Sequence, residues 1–134
     1  MITRGKLATR TGCNIETIRY YENIGLLPEP LRTESGYRAY NDSHVRLLNF
    51  IQRARALGFS RAQIHGLLEL NDANGEHTRA EVKALTEAHI EEVSQKIRDL
   101  QKMKRRLTQI SSYCDGSSAS AASCPILGSL FDEH

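Results

Sequence analysis

The sequence predicts a mainly α-helical chain with two unlike halves, and three observations predict it. Residues 1–70 hold short amphipathic runs, each opened by a capping residue and several closed at a glycine. Residues 29–40 interrupt them with a turn-rich stretch bearing Tyr and Arg. Residues 82–110 carry apolar side chains mostly three and four positions apart.

The totals narrow the class. A chain of 134 residues makes one or two small domains, and 40% apolar with 6% aromatic content implies a modest Leu/Ile/Ala core. No apolar run of ~18 residues exists, so no membrane span is expected. Three cysteines, an odd number, argue against a secreted disulfide framework. With no apolar leader at the start, a cytoplasmic location is the expectation. The net charge of +2 hides an asymmetry: residues 1–70 sum to +4 and residues 71–134 to −2. A basic front half suits contact with a polyanion. No Gly-rich phosphate loop, paired-carboxylate cleft or Ser/His/Asp constellation stands out, which leaves little room for an enzyme.

Each element follows in order. Thr3 caps a short helix with Leu7 and Ala8 on its apolar side, and Gly12 breaks it. Asn14 caps a second helix that closes on Gly25, with Pro28 beyond. Glu16 and Glu22 are expected to keep that helix soluble. Helix, tight Gly turn, helix is a helix-turn-helix pattern. An Arg and two Tyr on so short a second helix suit gripping DNA backbone and base edges. The stretch Glu29–Tyr40 reads as a β-hairpin with its tip at Glu34-Ser35-Gly36. A basic hairpin in that place is a wing, with Arg32, Tyr37 and Arg38 toward phosphate. One of Tyr37 and Tyr40 is expected to pack on the core.

A third helix starts at Asn41 or Ser43 and runs to Leu57, with an apolar stripe of Val45, Leu48, Ile51 and Leu57 and with Arg46, Arg53 and Arg55 outside. Ser60 caps a fourth helix through Ile64, Leu67, Leu68 and Leu70. Residues 71–77 form a polar linker. One long helix then covers 78–112, its seam built from Val82, Leu85, Ile90, Val93, Ile97, Leu100, Met103, Leu107 and Ile110. It would span ~50 Å. No other segment is long enough to cover it, so a coiled coil between two copies, antiparallel or parallel, is the natural solution. The helix ends at Tyr113-Cys114, a Ser/Ala loop follows to Ser123, and a short apolar turn from Cys124 to near Phe131 closes the chain.

Cys114 and Cys124 lie ten positions apart and bracket a loop of small residues that can bring both sulfurs onto one ion. Soft thiolates select Cu(I), Ag(I), Au(I), Zn(II), Cd(II), Hg(II) or Pb(II). Two ligands alone suit linear coordination of a monovalent d10 ion, whereas tetrahedral Zn(II) wants four. The same pair could instead close a disulfide or react with an electrophile, or be incidental to a Ser/Ala tail.

The residues that carry a family resemblance are Thr17-Ile18-Arg19-Tyr20-Tyr21-Glu22 with Gly25-Leu26-Leu27-Pro28, then Gly36-Tyr37-Arg38-Ala39-Tyr40, then Ile51-Gln52-Arg53-Ala54-Arg55-Ala56-Leu57-Gly58-Phe59-Ser60. Residues 1–70 on these motifs resemble the DNA-binding domain of MerR-type transcription regulators, and the long helix and cysteine loop extend the resemblance over nearly the whole chain. The resemblance implies a winged helix-turn-helix DNA-binding domain (1–70), a linker (71–77), a dimerisation helix (78–112) that pairs as an antiparallel coiled coil, and a metal-binding loop with a short C-terminal helix (113–134). It implies a homodimer on a pseudo-palindrome in a promoter with an overlong spacer. Inducer binding would distort that DNA so that RNA polymerase engages both promoter elements. Thr17, Arg19 and Tyr20 would contact the major groove and its phosphates, and Arg32, Tyr37 and Arg38 the backbone from the wing; Tyr21 packs inward.

Metal-responsive members of the family carry their inducer ligands where Cys114 and Cys124 stand. Members sensing divalent ions add a cysteine from the other protomer at the start of the long helix, and members sensing Cu(I), Ag(I) or Au(I) place a non-ligating residue there. Here Arg79 takes that place, or Thr78 if the register slips, with His77 adjacent. A bis-thiolate of a monovalent ion carries net −1, which Arg79 of a second copy would neutralise. The expectation is a monovalent coinage-metal inducer, with Zn(II) or another divalent ion as the alternative. The loop length stands closer to the zinc-type members, and His77 is a candidate nitrogen donor. Cys13 reads as a small buried hydrophobe, and His44, His65, His89 and His134 show no ligand spacing.

Overall fold

A computed structural model describes residues 1–71 and 74–132. The chain divides into two compact units, Met1–Leu85 and a second starting at Thr86. The 71–77 linker expectation falls partly on Asp72 and Ala73, and the His134 reading on a terminal residue, all outside the described residues.

In the first unit, α1 (Arg4–Thr11) and α2 (Ile15–Asn23) form the helix-turn-helix. The caps are those the sequence offers. Thr3 Oγ1 accepts the Lys6 amide at 3.2 Å, and Asn14 Oδ1 accepts the Glu16 amide at 2.7 Å. Between them Gly12 takes φ 71°, a left-handed conformation that lets its amide return to the Ala8 carbonyl at 2.9 Å. β1 (Leu31–Arg32) and β2 (Arg38–Ala39) pair antiparallel, Leu31 opposite Ala39 and Arg32 opposite Arg38. The turn Thr33–Gly36 joins them, with Gly36 at φ 85°.

α3 (Asp42–Ala56) starts at Asn41 rather than Ser43, because Asn41 and His44 exchange reciprocal side-chain-to-amide bonds. α4 (Arg61–Leu70) opens with the same device between Ser60 and Gln63. The core packs Leu7, Ile18, Tyr21, Leu26, Leu27, Tyr40, Leu48, Ile51 and Ile64 together, with Cys13 buried at its side. Each fully buried aliphatic side chain there contributes about 1.5–3 kcal/mol of transfer free energy.

Two sequence expectations fail here. Leu57 is 68% exposed; it lies just past the last turn of α3, before Gly58 reverses the chain, and Ala54 takes the inward place. Glu22 does not solubilise α2, since its side chain is only 9% exposed and pairs with Arg4.

α5 (Arg79–Ser111) begins in the first unit and supplies most of the second. Beyond Thr86, the described residues bury only His89 and Ile110. Ile90, Val93, Ile97, Leu100, Met103 and Leu107 all stand exposed, Leu100 by 60%. A 3-10 turn (Ala121–Ser123) and α6 (Pro125–Asp132) complete the chain. No described helix is long and apolar enough to cross a membrane.

Candidate functional site

The helical period sorts α2 into two faces. Ile18 and Tyr21 turn into the core, while Arg19 and Tyr20 stand exposed and Thr17 half-buried. Arg19 Nη1 reaches Glu16 Oε1 at 3.1 Å, an exposed pair worth little. On the hairpin Tyr37 is 73% exposed, whereas Tyr40 is fully buried, so one tyrosine reaches out and the other packs in. Arg32 and Arg38 sit directly opposite each other, both exposed, and Arg32 Nη1 donates to the Gly36 carbonyl at 3.2 Å. Like charges across a ladder are destabilising unless an anion lies near. With Glu22, Asn23, Glu29 and Pro30 the two arginines line a small polar hollow of about 230 Å³.

Against this geometry, residues 2–71 match the family model "MerR HTH family regulatory protein", and residues 45–110 match "MerR, DNA binding". The chain belongs to the MerR family of transcriptional regulators. It is 40% identical over 126 residues to the mercuric resistance operon regulatory protein of Bacillus cereus, covering 94% of each chain. It is 42% identical over 124 residues to heavy metal-dependent transcription regulator 2 of Rhizobium meliloti, covering 92% of this chain and 82% of that one. Its fold matches the transcription regulator PbrR691 of Ralstonia metallidurans in complex with lead(II), with a TM-score of 0.82 and 38% identity over 97% of this chain and 99% of that chain. These relatives are regulators, not enzymes, and so is this chain.

A second feature of the MerR-type domain escapes sequence reasoning. Arg4 of α1 donates from Nη2 to Glu22 Oε2 at 3.0 Å and from Nε to the Tyr40 hydroxyl at 3.0 Å. The Tyr40 hydroxyl in turn donates to Glu22 Oε1. Burial pushes the Tyr40 hydroxyl above the usual tyrosine range, and its bond to Glu22 adds to the rise. Meanwhile the Tyr40 backbone bridges Ile2 in both directions at 2.8 Å, so the N-terminus edges the wing. The only sequence signal was a Tyr closing the hairpin, since the partners lie 18 and 36 positions away.

In the second unit Cys114 and Cys124 come together, Sγ to Sγ 3.8 Å, both reduced and half-buried. The loop is shaped by its own small residues. Asp115 Oδ1 accepts the Ser117 amide at 2.9 Å, Gly116 takes φ 72°, and the Gly116 amide points at Cys114 Sγ at 3.4 Å. Cys124 stands immediately before α6, where the Leu127 and Ile126 amides hold its thiol below the usual cysteine range. The pair faces a hollow of about 510 Å³ lined also by Tyr113, Asp115, Ala119, Ser120, Pro125 and Leu127. Among the described residues, no group of three or more His, Cys, Asp or Glu gathers as a donor set. This is a two-sulfur centre of soft character, and its span suits one bridging ion. Two sulfurs ~2.3 Å from a metal stand about 3.8 Å apart at a tetrahedral angle and about 4.6 Å apart when linear.

The three candidate selectivity residues lie in the first unit. His77 Nδ1 is 2.7 Å from Glu81 Oε2, Thr78 Oγ1 accepts the Glu81 amide at 3.3 Å and so caps α5, and Arg79 is the first, exposed residue of that helix. Cys13 lies in the core, where burial raises its thiol pKa.

Proposed function

We propose that this protein is a metal-responsive transcriptional regulator that binds promoter DNA as a homodimer and switches on when one soft ion joins Cys114 to Cys124. The observation that carries the reading is the approach of two thiols to 3.8 Å in a loop that places α6 directly behind Cys124. Similarity to a mercuric resistance regulator, a heavy metal-dependent regulator and a lead(II) complex supports the ligand class.

The exposed seam of α5 supports pairing with a second copy, and an antiparallel coiled coil, as the family resemblance implies, would cover it. Residues 1–70 act as the DNA-binding domain, 71–77 as linker, 78–112 as dimerisation helix and 113–134 as effector loop. On DNA, Thr17, Arg19 and Tyr20 read the major groove and Arg32, Tyr37 and Arg38 hold phosphate. The dimer sits on an overlong-spacer promoter and distorts it when loaded, so that RNA polymerase engages both elements. Deforming DNA costs on the order of a few kcal/mol. A comparable difference in ion affinity between the two protein shapes is enough to drive the switch.

For the ion itself, two sulfurs with no third donor among the described residues favour a monovalent d10 ion, Cu(I), Ag(I) or Au(I). Arg79 of a second copy would balance the net −1 of the complex. A divalent ion is the second reading. The 3.8 Å spacing matches a bent S–metal–S unit, and the hollow is lined by one acidic residue, Asp115, and by no Lys or Arg. Transcription from the target promoter, titrated with Cu(I), Ag(I) and Zn(II), separates the two. Activation by copper or silver supports the monovalent reading, and activation by zinc alone defeats it.

A further inference from the structure

We propose that Arg4, Glu22 and Tyr40 are positioning residues for DNA recognition: they clamp the wing to the recognition helix at a fixed spacing, so that both arms meet the duplex together. The inference rests on the reading that α2 and the wing face DNA, and goes beyond it by naming what holds them in register.

The starting point is a carboxylate in an adverse place. Glu22 lies in the last turn of α2, where the helix dipole disfavours negative charge. Within the same unit stand Arg19, Arg32 and Arg38, the residues offered to a polyanion, and Glu22 lines the hollow beside the last two. A carboxylate there works against both helix and ligand unless something neutralises it. Arg4 does so through Glu22 Oε2, and the Tyr40 hydroxyl takes Oε1. Arg4 Nε closes the ring on Tyr40 at 3.0 Å. Every polar atom of this ring that faces another has a partner, and the carboxylate is satisfied on both oxygens.

The ring joins three elements. Arg4 opens α1, Glu22 sits in the last turn of α2, and Tyr40 follows β2 directly, two residues after Arg38. Charge-assisted bonds of this kind are short and directional, so they fix angles that apolar contacts leave soft. The hairpin needs such a tie, having only two-residue strands and two arginines facing each other across its ladder. With the tie intact, Arg32 and Arg38 are held apart from Arg19 by a set span. Without it, the wing is free to follow its own phosphate, and the cost of ordering it falls on the complex.

Tyr40→Phe tests this in the full-length protein, because it deletes one hydroxyl and keeps the ring that packs edge-on against His44 at 5.1 Å. Binding is measured to an operator duplex carrying one neutral methylphosphonate at a time. Arg19→Ala and Arg38→Ala first assign each sensitive phosphate to the helix or to the wing. In the unaltered protein, neutralising a phosphate of either class weakens binding by about tenfold. In Tyr40→Phe, sensitivity at helix phosphates persists while that at wing phosphates falls to about twofold or less. Glu22→Gln, which keeps shape and loses charge, shows the same one-sided loss if Tyr40→Phe proves unstable. Unchanged sensitivity at every phosphate overturns the proposal. Equal loss in both classes, accompanied by a lower Tm, also overturns it, since that is general destabilisation. Should Arg19→Ala and Arg38→Ala both bind the operator normally, the DNA face itself falls and the clamp with it.

Discussion

The two units spend their apolar residues in opposite ways. Up to Leu85 the chain builds a core from them: Leu7, Ile18, Leu48, Ile51 and Ile64 are all fully buried together, although a few such as Leu31 and Leu57 stay exposed. After Thr86 the chain displays them: Ile97, Leu100, Met103 and Leu107 line one face of α5 in the open. Composition does not distinguish the two, because both runs are rich in Leu and Ile. The difference lies in whether the chain supplies its own second layer. Four helices and a hairpin cover one another, whereas a helix of 33 residues has nothing of its own length to meet. The first unit is therefore a self-contained fold. The second leaves an apolar seam in the open, which the proposed pairing with a second copy would cover.

That contrast can be broken most severely on the seam. Leu100→Glu with Leu107→Glu should abolish self-association outright, because each buries an unpaired charge in the paired state. Analytical ultracentrifugation should show only single chains, with the core of the first unit intact by near-UV circular dichroism. A subtler form uses one substitution in two places. Leu48→Ala should cost about 2–5 kcal/mol at every protein concentration. Leu100→Ala should leave the single chain's stability nearly unchanged and act only through dimer dissociation. Denaturation followed across a hundredfold range of concentration separates them.

Smaller effects sharpen the functional side. Arg19→Ala should weaken operator binding by about 1–3 kcal/mol if it contacts a base, read by titration at fixed salt. The two cysteine environments offer a kinetic contrast. Cys124, with its thiol held low by α6 amides, should alkylate well before Cys13, whose thiol is raised by burial. Peptide mapping after timed iodoacetamide treatment reads the order, and Cys13 reacting first would contradict the placement of both. The smallest effect is alkaline. The folded state raises the Tyr40 pKa, so its contribution to stability is complete below the ordinary tyrosine value of about 10 and fades as pH climbs through the raised one. Tm between pH 9 and 11 should drop less in Tyr40→Phe than in the unaltered protein.

Much of the fold was legible because it is locally encoded. Asn14, Ser60, Gly12 and Gly36 each announce a helix start or a turn by their own chemistry, and α5 announces itself by period. The sulfur pair was legible as a loop bracketed by two thiols. What escaped depends on residues far apart in the chain. Glu22 looked like a solubilising charge until Arg4 and Tyr40 came around it, and Leu57 looked like the next step of a stripe until α3 stopped one residue short of it, at Ala56. The reversal at Glu22 has no signal within the ten residues around it, whereas Gly58, beside Leu57, marks where α3 ends. Which ion the thiols prefer is not written in the pair itself, since two sulfurs suit several soft ions.

In the proposed switch, Cys114 and Cys124 act together on a single soft ion. Reduced protein, purified without oxygen, should be titrated with Ag(I) under competition and its metal content measured beside that of the Cys114→Ser/Cys124→Ser double variant. The account predicts one tightly held ion per chain, lost in the variant, with operator affinity of the metal-free forms unchanged. Equal silver retention by the variant would contradict it.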